Sequence, residues 1–194
     1  MEEKALNQRL HEMFKEMLLV LESMKQGFLA ENQTTLTEAE TKHTRILTSN
    51  LPFTEELVKK GIKNEVEEKY LNLLPHLQLM AVIIRNLINE KKRKIESNLL
   101  FTDKAIDEIK GLYTLMQTQF QDATDYILTR NPHLKKHIRT EMENLSRMAE
   151  DYVAAHQIRL ITGVCMPKAS YSYIAIVDLI KGVSRELNSF CEEL

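Results

Sequence analysis

The sequence has no tryptophan, and only five glycines and four prolines among 194 residues. So few chain breakers exclude the closely spaced turns of a β-sandwich or β-barrel. It has two cysteines, Cys165 and Cys191, too few for a disulfide framework, so reduced thiols are the expectation. A net charge of −2 gives no overall case for nucleic acid, which calls for a strongly basic face. The longest weakly charged run, Tyr70 to Ile84, reads as too short and too polar to span a bilayer. The opening MEEKALNQRLHEM is charged and helical in pattern, unlike a secretory leader. No zinc-ligand spacing, phosphate-binding loop or glycine-rich dinucleotide loop occurs.

What is present is helix-forming: 43% hydrophobic and 28% charged residues, rich in Leu, Met, Glu and Lys. The first helix is expected over about 3–30, with Leu6, Leu10, Met13, Met17, Leu21, Met24 and Phe28 along one stripe. Thr35 with Glu38 reads as a capping box that starts the second helix, which carries Leu36, Ala39, His43 and Ile46. Pro52 is expected to kink or end it, with a further piece over 54–60 reaching Gly61. The third helix is expected from Asn64 to Ser97, facing Leu71, Leu74, Leu77, Ala81, Ile84 and Ile88 inward, with a bend or break at Pro75.

Thr102 caps the fourth helix, whose stripe is Ile106, Ile109, Tyr113, Met116, Phe120, Ala123 and Ile127. Asn131-Pro132 is a cap followed by proline in the first turn, which places the fifth helix. That helix carries Leu134, Ile138, Leu145, Met148, Tyr152 and Leu160, and Gly163 suits the left-handed residue that closes it. Pro167 opens the sixth helix, with Ile174, Val177, Ile180, Ser184, Leu187, Cys191 and Leu194 on one face. Ser184 and Asn188 place small polar groups where a core would take Leu. No strand alternation appears, so the fold class is an all-α bundle of six helices.

The halves match each other. Shifted by 99 positions, Phe14 meets Tyr113, Met17 meets Met116, Leu21 meets Phe120 and Asn32 meets Asn131. Shifted by 100, Leu77 meets Val177 and Arg85 meets Arg185. The near-constant offset points to tandem three-helix repeats, residues 1–99 and 100–194, packed as one domain.

His156, Arg159, Gly163, Cys165, Pro167 and Asp178-Leu179-Ile180, with the lead-in FTDKAIDEIKGLY at 101–113, resemble the PhoU-like family. The nearest resemblance is to the PhoU-type cytosolic domains of bacterial sodium/phosphate cotransporters. The resemblance implies a non-enzymatic regulatory or accessory module that modulates phosphate uptake or signalling. Its partner would be a membrane phosphate transporter or its signalling components, met by protein–protein contact, with only peripheral membrane contact. It implies a cytoplasmic protein at the inner face of the membrane, compatible with a homodimer and with no nucleic-acid partner.

The resemblance also implies acids four residues apart on the third helix of each repeat, able to share an iron or manganese cluster. Aligned on Arg85 and Arg185, those positions hold Ile84 and Ile88 in one repeat and Ser184 and Asn188 in the other. The expectation is therefore no metal and no cofactor at these degenerate positions. An Fe/Mn-binding bundle, supplied by Asp178, Glu186, Glu192 and Glu193, is the alternative, as is a helical adaptor that kept only the fold. Arg85, Arg185, His156 and Arg159 are the candidates for contacting an anion or a partner.

Three further groups have plainer readings. His133, His137 and Glu141 share a helix face that could ligate a metal, and otherwise form a solvated face. Glu40 and His43 read as a surface or interface pair, and Glu90 to Lys94 as a solvated helix end. Cys165 reads as a small wedge at a helix junction, with no obvious catalytic pair of His and acid, though His156 lies about two turns upstream. No catalytic constellation emerges, and none of these residues is expected to make the chain an enzyme.

Overall fold

The structure, a computed structural model, describes residues 3–60 and 65–194. The described residues form six helices and no strand: α1 (Glu3–Leu29), α2 (Gln33–Lys60), α3 (Glu65–Glu96), α4 (Asp103–Thr129), α5 (Pro132–Ile161) and α6 (Pro167–Glu193). The expected fold class stands. Gly61 and Asn64, expected at the ends of the second and third helices, lie outside the described residues.

Local chemistry sets most boundaries. Thr102 caps α4 by accepting from the Ala105 N–H, and Asn131 caps α5 by accepting from the His133 N–H. Gly163, at φ +75°, takes the left-handed conformation that costs glycine least. Two expectations need correction. The cap of α2 is Asn32, whose Oδ1 accepts from the Thr35 N–H at 3.1 Å, so the helix starts before Thr35. Of the two outcomes expected at Pro52, an end to the helix does not occur, and α2 runs on to Lys60. The lost hydrogen bond and ring clash cost about 3 kcal/mol, and packing of α2 along α1 and α3 outweighs that. Likewise α3 runs through Pro75 without a break.

Adjacent helices in the chain are antiparallel. Arg9 reaches Asn50 at 3.1 Å while Gly27, at the other end of α1, lies against Leu36. His76 meets Glu186 and Ser172 meets Glu90, so α3 and α6 also run in opposite directions. α1 pairs with α4 in the same way, through Lys25 to Gln117 and His11 to the Thr124 carbonyl. The core lies where α1, α3, α4 and α6 meet, with α2 and α5 as flanking helices. Phe14 stacks on Phe190 at 4.9 Å and leans on Phe120 at 5.5 Å, joining α1, α6 and α4.

The two halves differ in closeness. α4 and α6 pack along one another, while α1 and α3 touch far less. A cavity of about 270 Å³ fills the difference, lined by Met17, Leu47, Leu74, Leu77 and Phe120, with Arg85 at its edge. α3 holds an 18-residue window apolar enough to cross a bilayer by length and composition, which corrects the sequence reading of that run. In this fold α3 lies along α6, with Met80, Ile84, Leu87 and Ile88 buried.

Candidate functional site

The densest polar cluster sits where the end of α5, the α5–α6 connection and the start of α6 meet α4. Glu108 of α4 is buried on the inner stripe, three positions from Ala105 and four from Leu112. Arg159 clasps it with two hydrogen bonds, Nη1 to Oε1 at 2.9 Å and Nη2 to Oε2 at 2.6 Å. The Tyr173 hydroxyl donates to the same Oε2 at 2.6 Å. The Glu108 carboxylate is thus satisfied, as a buried charge requires, while the Arg159 Nε stays buried without a hydrogen-bond partner. The carboxylate holds the Arg159 guanidinium above its ordinary range, and burial does the same to the Tyr173 phenol.

His156 extends the cluster. Its ring stacks on Tyr173 at 4.2 Å between centroids, and its Nε2 shares a 2.9 Å hydrogen bond with the Ser170 hydroxyl. Its Nδ1 faces the Cys165 sulfur at 3.9 Å. Burial, and then the neighbouring Arg159, push His156 below its usual range, so the imidazole is neutral near pH 7. The histidine upstream of Cys165 in the sequence is thus the one that faces its sulfur. A cavity of about 200 Å³ opens at this point, walled by Leu100, Phe101, Ala105 and Met166 around His156 and Cys165.

The remaining candidates have separate fates. Arg159 is committed to Glu108 and His156 is buried, so neither offers the open anion contact expected of it. Arg85 and Arg185 are exposed on α3 and α6. Arg185 acts on Glu150 of α5, and Arg85 on His43 of α2.

The degenerate positions hold no ligand set. Ile84 and Ile88 are buried in the core. Ser184 is fully buried and donates to Gln119 Oε1 at 2.6 Å, while the Gln119 amide donates to the Ile138 carbonyl at 3.0 Å. Asn188 Oδ1 is buried and unpartnered, a single neutral oxygen. An iron or manganese cluster needs several anionic donors, and these four positions do not fit one. Among the described residues no three of His, Cys, Asp and Glu are grouped so as to hold a metal ion. His137 lies 2.6 Å from Asp122 and 3.9 Å from Glu141, whereas His133 sits exposed on the same helix.

Two surface readings are overturned. His43 is buried with both ring nitrogens unpartnered, and its neighbour Glu40 pairs with Lys92 at 3.0 Å. In the 90–94 run, Lys91 is fully buried and Lys94 nearly so. Lys91 Nζ lies 4.0 Å from the Phe28 ring centroid and 3.8 Å from that of Tyr113. Lys94 pairs with Glu31 beneath Phe101. The signal was in the sequence: Met80, Ile84, Leu87, Lys91 and Lys94 continue one 4-3-4-3 stripe.

Neither Glu108 nor Gln119 stood out in the sequence, because a lone acid or amide on a helix is ordinarily solvated. Their positions on the inner stripe of α4 were the available signal.

No family model matches the sequence, and a search of curated proteins gives no significant match. Among solved structures the chain is similar to a PhoU-like protein from Shewanella oneidensis MR-1. The two share 14% identity over 97% of this chain and 99% of that one, with a TM-score of 0.51. The chain has a PhoU-like fold.

Proposed function

We propose that this PhoU-like chain is a non-enzymatic regulatory or accessory module that acts by protein–protein contact with a membrane phosphate transporter or its signalling components. The observation that supports this reading is the shared architecture, which covers nearly the whole length of both chains. The division into two three-helix repeats, 1–99 and 100–194, belongs to the same proposal. It is supported by Glu31 and Arg130, left-handed residues 99 positions apart that follow α1 and α4. Lys91 against Tyr113 and Phe190 against Phe14 are contacts related by the same shift.

A contact surface is available at one end. Leu100, Ile158, Ile161, Val164, Met166 and Tyr171 are all more than half exposed, which is unusual for such large apolar side chains in one region. In this reading the surface works at the cytoplasmic face of the membrane, and the protein holds no cofactor.

The test is co-purification of the tagged chain with a phosphate transporter and its sensor proteins. Retention of the transporter, lost on Ile161→Asp with Val164→Asp, is the expected result. A chain that ignores transporter and sensor components in that experiment overturns the reading.

A further inference from the structure

We propose that Cys165 is the nucleophile, and His156 the base, of a reactive-thiol site that takes an apolar organic hydroperoxide. The proposal stands independently of the transporter reading. It rests on the coincidence of four features in the α5–α6 junction.

The first is the dyad. Cys165 is half-buried, and its sulfur lies 3.9 Å from His156 Nδ1. A nucleophile within reach of a base that a third group orients is the arrangement activated cysteines use. Ser170 is that third group, held by the 2.9 Å bond to Nε2, and the Tyr173 ring stacked at 4.2 Å fixes the imidazole plane. Distances in unliganded sites are often long and tighten on binding.

The second feature is charge. Arg159 lies beside the thiol as well as on Glu108. The charged and titratable groups around the imidazole are Arg159 on α5, Glu108 on α4, and Tyr173 on α6. An electropositive neighbour of this kind is the setting in which reactive cysteines are found. Third, the imidazole is neutral near pH 7, so it can accept a proton.

The fourth feature is the cavity, which selects the reactant. Its volume is about 200 Å³, and Leu100, Phe101, Ala105, Val164 and Met166 give it apolar walls. A dry apolar cavity of about 150 Å³ is enough to hold benzene. An aryl or short branched alkyl group would lodge against Phe101 and Met166 and leave its peroxide at the sulfur.

In the reaction, a sulfur–oxygen bond forms as the peroxide oxygen–oxygen bond breaks. The thiol proton passes to His156 Nδ1 and then to the departing alkoxide, which leaves as an alcohol. Sulfur is oxidised to a sulfenic acid and the peroxide is reduced. No second cysteine can resolve the product internally. Cys191 lies 26 residues further along, most of them in α6, and that helix spans far more than disulfide reach.

The experiment uses the whole chain with cumene hydroperoxide or hydrogen peroxide at pH 7. Sulfenic acid is trapped with dimedone and located by mass spectrometry, with free cysteine as the rate standard. Expected is an adduct on Cys165 alone, formed at least about ten-fold faster than on free cysteine. That factor is at the low end of what a positioned base supplies. Relative to free cysteine, cumene hydroperoxide should gain more than hydrogen peroxide. His156→Gln should slow the reaction at least about ten-fold and shift its pH profile, with its circular dichroism melt run alongside.

A Cys165 no faster than free cysteine overturns the site. So does a folded His156→Gln variant that reacts at the wild-type rate, which would reduce Cys165 to an exposed thiol. An equal gain for both peroxides overturns the apolar reactant class. Should His156→Gln fail to fold, Ser170→Ala, which releases the imidazole, must slow the reaction, and an unchanged rate there is equally fatal.

Discussion

The ammonium nitrogen of Lys91 lies 3.8 Å from the centre of the Tyr113 ring, and neither side chain reaches solvent. The same nitrogen donates to the Met24 carbonyl at 3.5 Å. Two aromatic faces return about 2 kcal/mol each at best, while removing an ammonium from water costs several kcal/mol. Burial wins, and it pushes Lys91 well below its ordinary range while pushing Tyr113 well above its own.

The sign of the pH effect follows. Between the depressed folded value and the ordinary lysine value, the unfolded chain binds a proton that the folded chain refuses. Stability therefore rises with pH across that interval. Above about pH 9 the rise is offset, because Cys191, pushed up to about 12 by burial, holds a proton that the unfolded chain loses, and above about pH 10 Tyr113 does the same and turns the trend downward. Lys91→Met should raise stability by about 1–4 kcal/mol, as replacing buried charge by apolar packing often does. It should also flatten the rise between pH 7 and 9. Denaturant melts of both proteins at three pH values in that interval check this, and an unchanged slope refutes it.

Acid should destabilise the fold through histidine. Burial, reinforced by Arg85, lowers His43, and burial with Arg159 lowers His156. Below about pH 6.5 the unfolded chain takes up protons that these rings refuse, so stability falls as pH drops. His43 also leaves both nitrogens unpartnered. His43→Leu should therefore raise stability by about 1 kcal/mol or more and shrink the loss between pH 6.5 and 5. Thermal melts across that range decide it.

Two helical glycines should respond to alanine with opposite signs. A Cβ on Gly27 would sit 2.9 Å from Leu36 Cγ and 3.2 Å from the Leu36 backbone nitrogen. Gly27→Ala should cost about 1–3 kcal/mol, because the close approach of α1 and α2 must open. At Gly111 the nearest atom is the Tyr152 hydroxyl at 3.9 Å, so Gly111→Ala should gain about 0.5–1 kcal/mol. Urea unfolding of the pair tests the geometry of both helix contacts.

The degenerate positions should resist restoration. Ser184→Ala leaves the Gln119 carbonyl oxygen without its 2.6 Å donor and should cost about 1–3 kcal/mol. Ser184→Glu and Ile84→Glu both place a carboxylate at a fully or nearly fully buried position, so both should melt far below the parent. Calorimetric titration with manganese or iron(II) should show no gain, and tight binding by either variant would refute the packing argument.

The stripes of α1, α4 and α6 were legible because apolar spacing and burial coincide there, from Leu6 to Phe28 and from Val177 to Leu194. Thr102, Asn131 and Gly163 were legible because their roles are local. Pro52 misled because its helix-breaking cost is also local, whereas the packing that overrides it is not. The sequence-read site residues divide in the same way. Cys165 and His156 were each noticed, yet their 3.9 Å approach depends on the turn between α5 and α6. Lys91 and Glu108 were passed over because residue type outweighed stripe position.

The way α3 is buried sets an order of events during synthesis. Its chief neighbour is α6, made after α4 and α5, and Phe14 of α1 waits for Phe190. A ribosome adds about 5–20 residues per second. The apolar face of α3 therefore stays uncovered for several seconds after it emerges, until α6 clears the exit tunnel. Nascent chains of this protein should be clients of whatever shields hydrophobic helices in that interval, and codons that slow translation between α3 and α6 would lengthen the exposure.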